Sequence, residues 1–341
     1  MPGEVRLLIV KLSAIGDCLL ATPALSALRD ALGPEARIDW VVHPHCAPVV
    51  AGNPRLHTVH RLTRQGWWRQ LGALRREFRA IAYTTVLDQQ GLLKSALVAR
   101  MAGAREVVGP AHPREPLARR FYTRTVFDDP AAHVVAVYLN RAAAVGARWA
   151  TEPAMELPVS LEDLAHAQRL LQGLQGPIIA LNPGAGRPDK QWPPAAFAAL
   201  ADRLLAEGRD VVITGGPGDR ALAGEVRAAA PNSERVRDLT GQTSLNQLGA
   251  LFRSCAAFVG GDTGPMHMAQ ASGCPTIALF GPTDPAILGP RLPMHRTVDA
   301  WALAQGRPAG STRPRLEGGA ALAALKASTV AEVILHLPGP D

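Results

Sequence analysis

The strongest constraint in the sequence is a repeated unit, in which a short apolar run is followed by a loop and then a helix. Residues 5–11 form such a run, and a loop containing Asp17 and a helical pattern over 22–32 follow it. Residues 177–181 repeat the unit and precede a Gly-rich loop and a helix over 194–207. Apolar runs of strand length are typical of strands buried in a parallel sheet. Their alternation with helices predicts an α/β protein with a doubly wound sheet.

Because the unit restarts halfway along the chain, we predict two successive Rossmann-like domains, residues 1–160 and 161–320. Further strand-like runs lie at 38–43, 81–87, 210–214, 256–259 and 276–280. We expect residues 305–319 to be an exposed loop and 321–341 to be a C-terminal helix that packs back toward the N-terminal domain. Ligands of such sheets bind at the carboxyl ends of the strands, so we expect the two domains to face each other across a cleft that holds the site.

Charge is distributed unevenly along the chain. The first 124 residues carry 18 Lys and Arg against 9 Asp and Glu, a net charge of +9, whereas the remainder carries 18 against 20, a net charge of −2. A one-sided positive field indicates an anionic partner, which can be an acidic substrate, an anionic membrane surface or nucleic acid. Aromatic residues make up only 5% of the chain and no RNA- or DNA-binding motif occurs, so nucleic acid is not expected.

The hydropathy pattern predicts no membrane span. The apolar run near the start is too short for a signal-peptide core, and the longest uncharged stretch, 264–283, is interrupted by Gly and Pro and contains His267. We therefore expect a soluble, cytoplasmic protein. The cysteines lack the spacing of a metal site and are expected to be buried thiols; they are Cys18, Cys46, Cys255 and Cys274.

Asp17 is the first candidate for chemistry. It follows the first predicted strand and stands near the start of a helix, where a carboxylate can act as a general base toward an acceptor hydroxyl. An Asp in this place is also typical of a helix cap, and spacing alone leaves both interpretations open.

The second candidate cluster is 260–267, Gly-Gly-Asp-Thr-Gly-Pro-Met-His, which follows a predicted strand and opens a helix. Free amides at Thr263 and Gly264, together with the helix dipole, favour a diphosphate. Asp262 can accept hydrogen bonds from sugar hydroxyls, and His267 projects from the first helical turn. The alternative is a capped turn with a structural histidine.

The third candidate is the loop 184–193, where Gly184 and Gly186 suit a loop that faces a phosphate. Lys190 can neutralise a departing diphosphate, although an isolated lysine is more often solvated surface. The loop does not match the P-loop pattern.

The fourth feature is a run of arginines interleaved with Trp67 and Trp68. Arginine suits phosphates and carboxylates, and adjacent tryptophans suit a membrane interface. The alternative is an ordinary charged helix face. The arginines are Arg61, Arg64, Arg69, Arg75, Arg76 and Arg79.

Several motifs are missing from the sequence. There is no Asp-x-Asp pattern of the kind that holds Mg²⁺ or Mn²⁺ on a nucleotide sugar, so we expect neither a metal nor another cofactor. No Gly-x-Ser-x-Gly occurs, and no Gly-x-Gly-x-x-Gly follows the first strand, which argues against hydrolase and nicotinamide-dependent functions.

Three motifs, in this order, resemble those of the heptosyltransferases of glycosyltransferase family 9. They are Ser13-Ala14-Ile15-Gly16-Asp17 with Thr22-Pro23-Ala24-Leu25, then Lys190-Gln191-Trp192-Pro193, then the 262–267 cluster with 275–285. The resemblance covers nearly the whole chain. Residues 88–96 and 114–124 are similar to the heptosyltransferase I branch of that family.

The resemblance implies a GT-B fold and an inverting transfer, without a metal, from ADP-heptose to a Kdo-lipid A type acceptor at the anionic inner face of the inner membrane. It implies that Asp17 is the base and that the N-terminal domain binds the acceptor, through Ser13, Arg61, Arg64 and Arg114. It implies that the C-terminal domain binds the nucleotide sugar, through Ala185, Gly186, Lys190, Thr243, Asp262, Thr263, Gly264 and His267.

One departure concerns Ala185 and Gly186, where hydroxyl residues are frequent in the heptosyltransferase I branch. We therefore expect backbone contacts to the nucleotide there. The alternatives are a family 9 transferase with another core acceptor or donor sugar, such as one of the heptosyltransferase II type, and a nucleotide-sugar-binding protein without catalysis.

Overall fold

A computed structural model describes residues 5–228, 233–306 and 315–337 of this chain. The chain divides into two compact units, Met1–Pro158 and Val159–Asp341. The division lies two residues before the end of the N-terminal domain predicted from the sequence. Each unit contains one six-stranded sheet in which all paired strands are parallel, so the predicted α/β class with two doubly wound sheets is confirmed.

The first unit contains strands β1 to β6 and helices α1 to α5. The strands are β1 Arg6–Val10, β2 Arg37–Val42, β3 Thr58–Arg61, β4 Thr85–Asp88, β5 Glu106–Pro110 and β6 Arg124–Val126. The helices are α1 Ile15–Leu20, α2 Thr22–Leu32, α3 Leu71–Ile81, α4 Leu93–Met101 and α5 Val134–Ala143. The strand order is β3-β2-β1-β4-β5-β6.

The second unit repeats this arrangement. Its strands are β7 Ile178–Asn182, β8 Asp210–Ile213, β9 Val236–Asp238, β10 Ala257–Gly261, β11 Thr276–Phe280 and β12 Arg296–Asp299. Its helices are α6 Leu161–Leu171, α7 Pro194–Ala206, α8 Arg220–Ala228, α9 Leu245–Arg253, α10 Gly264–Ala271, α11 Pro285–Leu288, α12 Ala300–Gln305, α13 Arg315–Ala324 and α14 Ala327–Leu335. The strand order is β12-β11-β10-β7-β8-β9.

Local sequence explains where the first elements begin and end. Four of the five residues of β1 are buried, as a continuous apolar run between two neighbouring strands predicts. Pro23 lies in the first turn of α2, where its missing N–H costs nothing, and Gly33 ends the helix with a φ of 82°. In α3 only Leu74 and Phe78 are buried, so the helix lies on the unit's surface with its arginines exposed.

In each sheet the strand order reverses at one point. In the first sheet this point lies between β1 and β4, and in the second sheet it lies between β7 and β10. The chain leaves two such neighbouring strands toward opposite faces, which opens a crevice at their carboxyl ends. The segments that follow these four strands are therefore the expected places for a ligand.

Several expectations about single elements were wrong. The segment around Asp17, predicted as a loop, is the short helix α1, whose N-cap residue Ala14 has no capping side chain. The predicted strand 81–87 begins only at Thr85, because α3 continues through Ile81 and Ala82 is left-handed. Residues 315–319, predicted as exposed loop, open α13, whereas 307–314 lie outside the described residues.

The C-terminal segment 321–341 is not a single helix, because the end of α13 and the whole of α14 share it. The buried side chains Val330, Ala331 and Ile334 of α14 belong to the core of the second unit, whereas we expected this segment to pack toward the first. Residues 338–341 of the segment lie outside the described residues.

Among the described residues, no single helix is both long enough and apolar enough to cross a membrane. One pair, Glu317–Ala324 with Ala327–Leu335, passes on joint length and composition but is bent by 72°.

Trp192 anchors the chain just after Lys190. Its side chain is 1% exposed, its ring lies 4.8 Å from the Phe197 ring in an edge-to-face contact, and its indole N–H donates to the Leu325 carbonyl at 2.9 Å. The loop that carries Lys190 is thus attached to the core between α7 and the turn before α14.

We predict that Trp192→Ala lowers the free energy of unfolding of the second unit by about 3–5 kcal/mol, because it removes a buried aromatic ring and leaves a cavity. Urea unfolding measures the change. The matched control is Trp68→Ala, since Trp68 is 61% exposed, and its effect should stay within about 0.5 kcal/mol. Equal effects of the two variants would contradict the anchoring role of Trp192.

Candidate functional site

Asp17 lies on the first turn of α1, directly after β1. The backbone N–H of Ala14 donates to its Oδ2 at 3.2 Å, so the carboxylate does serve the helix start, as one of the two interpretations of the sequence expected. The side chain is nevertheless 39% exposed. Its other oxygen, Oδ1, makes no hydrogen bond or ion pair within the part of the chain that the structure describes. Capping therefore leaves one oxygen available for chemistry.

Lys11 is a site residue that we did not assign from the sequence. It lies at the carboxyl end of β1, is 3% exposed, and its Nζ is 3.7 Å from Asp17 Oδ2. The signal in the sequence was a lysine directly after an otherwise apolar strand. Its significance depends on the turn into α1, which brings Asp17 back over the end of the strand.

The segment after β4 holds the loop that contains Ser13. Oε1 of Gln90 accepts hydrogen bonds from the backbone N–H groups of Leu12 at 3.0 Å and Ser13 at 3.1 Å. Asp88 in turn accepts from the backbone N–H of Gln90 at 2.8 Å, and burial raises the pKa of its carboxyl group. The segments that follow β1 and β4 at the reversal point are thus joined through Gln90, a second site residue that we did not assign from the sequence.

Three predicted acceptor-binding arginines follow other strands of the same sheet. Arg61 ends β3, Arg64 lies three residues later, and Arg114 lies in the loop after β5. All three side chains are exposed. Among the described residues none of them pairs with Asp17, but all lie at or beyond the carboxyl ends of strands, on the same edge of the sheet as Asp17.

In the second unit, Lys190, Asp262 and His267 meet as expected. Lys190 Nζ lies 2.5 Å from Asp262 Oδ2, and His267 Nε2 lies 3.6 Å from Asp262 Oδ1. Asp262 is 6% exposed and Lys190 17% exposed. Burial alone would raise the pKa of Asp262, but contact with His267 and the charge of Lys190 outweigh it and hold the pKa well below its usual value.

The N-terminus of α10 lies beside this cluster. Its N-cap residue Thr263 makes no capping side-chain bond, because its hydroxyl donates to the Gly261 carbonyl at 3.3 Å. The amides of Gly264 and Met266 are therefore not occupied by a cap, whereas Pro265 has no N–H, and such free amides suit an anion. His267 Nδ1 is buried and has no hydrogen-bond partner among the described residues.

Close backbone packing explains one of the glycines. A Cβ added at Gly261 would lie 2.7 Å from the Lys190 carbonyl oxygen, so only glycine lets the end of β10 approach the Lys190 loop. Gly186 has open space around its Cβ position and is exposed, so packing does not require its small size. The Ala185 carbonyl accepts from Gln191 Nε2 at 3.4 Å.

Thr243, the remaining predicted donor contact, lies after β9 and is half-buried. It precedes Ser244, whose side chain caps α9. No bond connects Thr243 to the Lys190 cluster within the described residues, and β9 is the strand at the edge of the sheet. Its assignment stays a prediction.

Within the described residues, no three His, Cys, Asp or Glu side chains are grouped closely enough to hold a metal ion. The expectation of a metal-independent reaction stays a prediction. All four cysteines are free and buried, as their spacing led us to expect.

The sequence model of glycosyltransferase family 9 (heptosyltransferase) matches residues 71–307, which is more than half of the chain. The chain belongs to glycosyltransferase family 9. Among curated relatives of this transferase, lipopolysaccharide heptosyltransferase 1 of Pseudomonas aeruginosa is 32% identical, over 83% of this chain and 81% of the relative.

Solved structures of the family share its fold over almost the full length. Heptosyltransferase II of E. coli superimposes with a TM-score of 0.79 at 25% identity, covering 97% of this chain and 98% of that one. E. coli heptosyltransferase WaaC, solved with ADP and with ADP-2-deoxy-2-fluoro heptose, gives TM-scores of 0.75 and 0.73 at 26% identity, covering 97% of this chain and 99% of that one. The family 9 transferase described here is therefore a GT-B protein.

We predict that Asp262→Asn lowers the free energy of unfolding by about 3 kcal/mol at pH 7, because it leaves Lys190 largely buried without its counter-charge. A carboxylate whose pKa is lowered by folding stabilises the protein above its unfolded pKa, and this contribution is lost as the pH falls. The difference in free energy of unfolding between wild type and variant, measured by urea unfolding, should therefore become smaller below about pH 4.

The control for this prediction is Asp189→Asn. Asp189 pairs with Arg187 at 2.7 Å, but Arg187 is 41% exposed, so the change should stay within about 1 kcal/mol. If Asp262→Asn has the same free energy of unfolding as the wild type at pH 7, the stabilising role of the carboxylate is contradicted. A difference that grows as the pH falls would contradict it as well.

Proposed function

We propose that this family 9 glycosyltransferase moves heptose from ADP-heptose to Kdo of the lipopolysaccharide inner core, with inversion and without a metal. The observation that carries the proposal is the carboxylate of Asp17. It lies at the reversal point of the first sheet, with one oxygen fixed and the other uncommitted. Sequence similarity over 83% of the chain to a lipopolysaccharide heptosyltransferase 1 supports the choice of acceptor, and the structure of WaaC with ADP-2-deoxy-2-fluoro heptose supports the choice of nucleotide sugar.

In the proposed reaction, Asp17 accepts the proton of an acceptor hydroxyl as that oxygen attacks the anomeric carbon of the heptose. The bond from this carbon to the diphosphate breaks, and its electron pair leaves with ADP on the opposite face, so the configuration inverts. Proton removal by a positioned carboxylate is the usual task of a general base. The geometry is that of other inverting transfers at an anomeric carbon.

The departing diphosphate would be stabilised by the second unit's cluster. The amides at Thr263 and Gly264 carry the positive end of the α10 dipole, and Lys190 adds a full charge. Asp262 and His267 would hold the sugar and Lys190 in place. Ala185, Gly186 and Thr243 would contact the nucleotide, the first two through their backbone.

The acceptor would meet the basic edge of the first unit. Arg61, Arg64 and Arg114 suit the carboxylates and phosphates of a Kdo-lipid A type acceptor, with Ser13 beside the base. We place the protein in the cytoplasm, peripheral on the anionic inner face of the inner membrane. The competing functions are transfer to another core acceptor or from another sugar, and nucleotide-sugar binding without catalysis.

We predict that purified protein, given ADP-heptose and Kdo-lipid A without added metal, releases ADP and adds the mass of one heptose to the acceptor. Asp17→Ala should lower kcat by at least about 10²-fold, because the base is lost. ADP release and acceptor mass measure the two products together. Near-full turnover by the variant would refute the base assignment. ADP-heptose binding without transfer would refute the acceptor.

We also predict that the protein binds vesicles containing phosphatidylglycerol through α3. Changing Arg75, Arg76 and Arg79 to Gln should weaken binding about fivefold per residue, or ~1 kcal/mol each. A matched triple change in the second unit, at the exposed residues Arg169, Arg203 and Arg220, should leave binding unchanged. Sedimentation with vesicles measures both, and equal losses in the two variants would reject α3 as the membrane surface.

A further inference from the structure

Lys11 is a buried cation that the proposed reaction does not itself use. Its backbone is fixed by two bonds, since its N–H donates to the Val41 carbonyl at 3.2 Å and its own carbonyl accepts from Trp40 Nε1 at 2.9 Å. Its side chain is 3% exposed. A buried ammonium costs several kcal/mol unless a partner compensates its charge, so the identity of its partner decides its role.

Two groups surround the ammonium of Lys11. Its Nζ lies 3.7 Å from Asp17 Oδ2 and 5.0 Å from the centre of the Tyr138 ring on α5. Burial lowers the pKa of Lys11, but Tyr138 and Asp17 together outweigh this effect and raise it above its ordinary value. The side chain is thus a permanent cation whose only ion pair among the described residues is with Asp17.

Both contacts of the Asp17 carboxylate converge on one oxygen. Oδ2 receives the Ala14 backbone N–H at 3.2 Å and faces Lys11 Nζ at 3.7 Å, whereas Oδ1 has no partner among the described residues. A carboxylate held at one oxygen by a main-chain donor and a fixed charge has little freedom to rotate. Its second oxygen is then presented in one direction.

We propose that Lys11 is the positioning residue of the base, holding Asp17 by Oδ2 so that Oδ1 receives the proton of the acceptor hydroxyl. This inference rests on the proposed function of Asp17. The O–H bond of the acceptor breaks as its proton passes to Oδ1, and the new bond from oxygen to the anomeric carbon forms while ADP leaves. The proton on Asp17 then passes to water, which restores the base.

The first test is Lys11→Met, which keeps the length of the side chain and removes its charge. We predict a fall in kcat of about 10- to 100-fold, because a misplaced reacting group costs this much in rate. The dissociation constant for ADP should be unchanged, since the nucleotide is assigned to the other unit. Lys11→Arg, which keeps the charge, should recover part of kcat.

The matched control is Arg141→Met. Arg141 is also a buried cation against the Tyr138 ring, at 6.0 Å, but it pairs with Asp128 at 2.6 Å and not with Asp17. This variant should lose stability and keep a kcat near that of the wild type. Equal falls in kcat for Lys11→Met and Arg141→Met would overturn the inference, since both would then reflect general damage to the unit.

A double-mutant cycle separates positioning from structure. In an Asp17→Ala background the base is already absent, so adding Lys11→Met should leave the residual rate unchanged. A further fall by the factor seen in the wild-type background would overturn the inference. If Lys11→Met does not fold, as judged by circular dichroism and ADP binding, the cycle is measured with Lys11→Gln, which removes the charge but keeps a polar side chain.

The same cycle distinguishes the two proposals. Near-full turnover of Asp17→Ala refutes the base itself. An impaired Asp17→Ala beside a fully active Lys11→Met leaves the base in place and removes only the role of Lys11.

Discussion

The reversal of strand order in each parallel sheet is the constraint on which the rest of this structure depends. Parallel strands bring all their carboxyl ends to one edge, and the reversal between β1 and β4, and between β7 and β10, opens a crevice there. Asp17 follows β1, and Asp262 follows β10. The positions of residues that are far apart in the sequence are therefore determined mainly by the backbone topology, and side-chain contacts then adjust them. The buried apolar strands, which have no chemical function of their own, determine where the chemistry lies.

Within each crevice the decisive element is a carboxylate paired with a lysine, and the two pairs differ in exposure. Asp262 is 6% exposed and is occupied on both oxygens, by Lys190 and His267. Asp17 is 39% exposed, and only its Oδ2 contacts partners among the described residues, Ala14 and Lys11. A carboxylate enclosed by two partners is suited to hold other groups, whereas a partly exposed one with an oxygen unpaired among the described residues is suited to exchange a proton. The same pair of residue types thus supports a holding role in one unit and the proposed role of a base in the other.

Much of this organisation was predictable from the sequence, and the exceptions have physical causes. Helix α2 and strand β11 were predicted to the residue, because a helical pattern with Pro23 in its first turn marks α2 and a continuous apolar run marks β11. Strands β3, β5, β6, β9 and β12 were missed, since they are three to five residues long and mix polar with apolar side chains or, in β5, end in Gly and Pro. The cluster of Lys190, Asp262 and His267 was expected from motifs. Lys11 and Gln90 were not expected to take part, because their roles depend on contacts between segments that no local pattern encodes.

The ion pair of Lys190 with Asp262 bears on how a diphosphate can be held. An ammonium has three donors. One is directed to Asp262 Oδ2 at 2.5 Å, and the carbonyl of the same residue lies 3.4 Å away. At least one donor remains for an anion, and the pairing fixes its direction, since the Lys190 loop is anchored by Trp192 on one side and meets Gly261 on the other. In the proposed reaction, a donor diphosphate therefore does not have to displace Asp262. It can add to a lysine that is already oriented, beside helix amides that are already aligned, and such preorganisation lowers the reorganisation needed as negative charge develops on the leaving group.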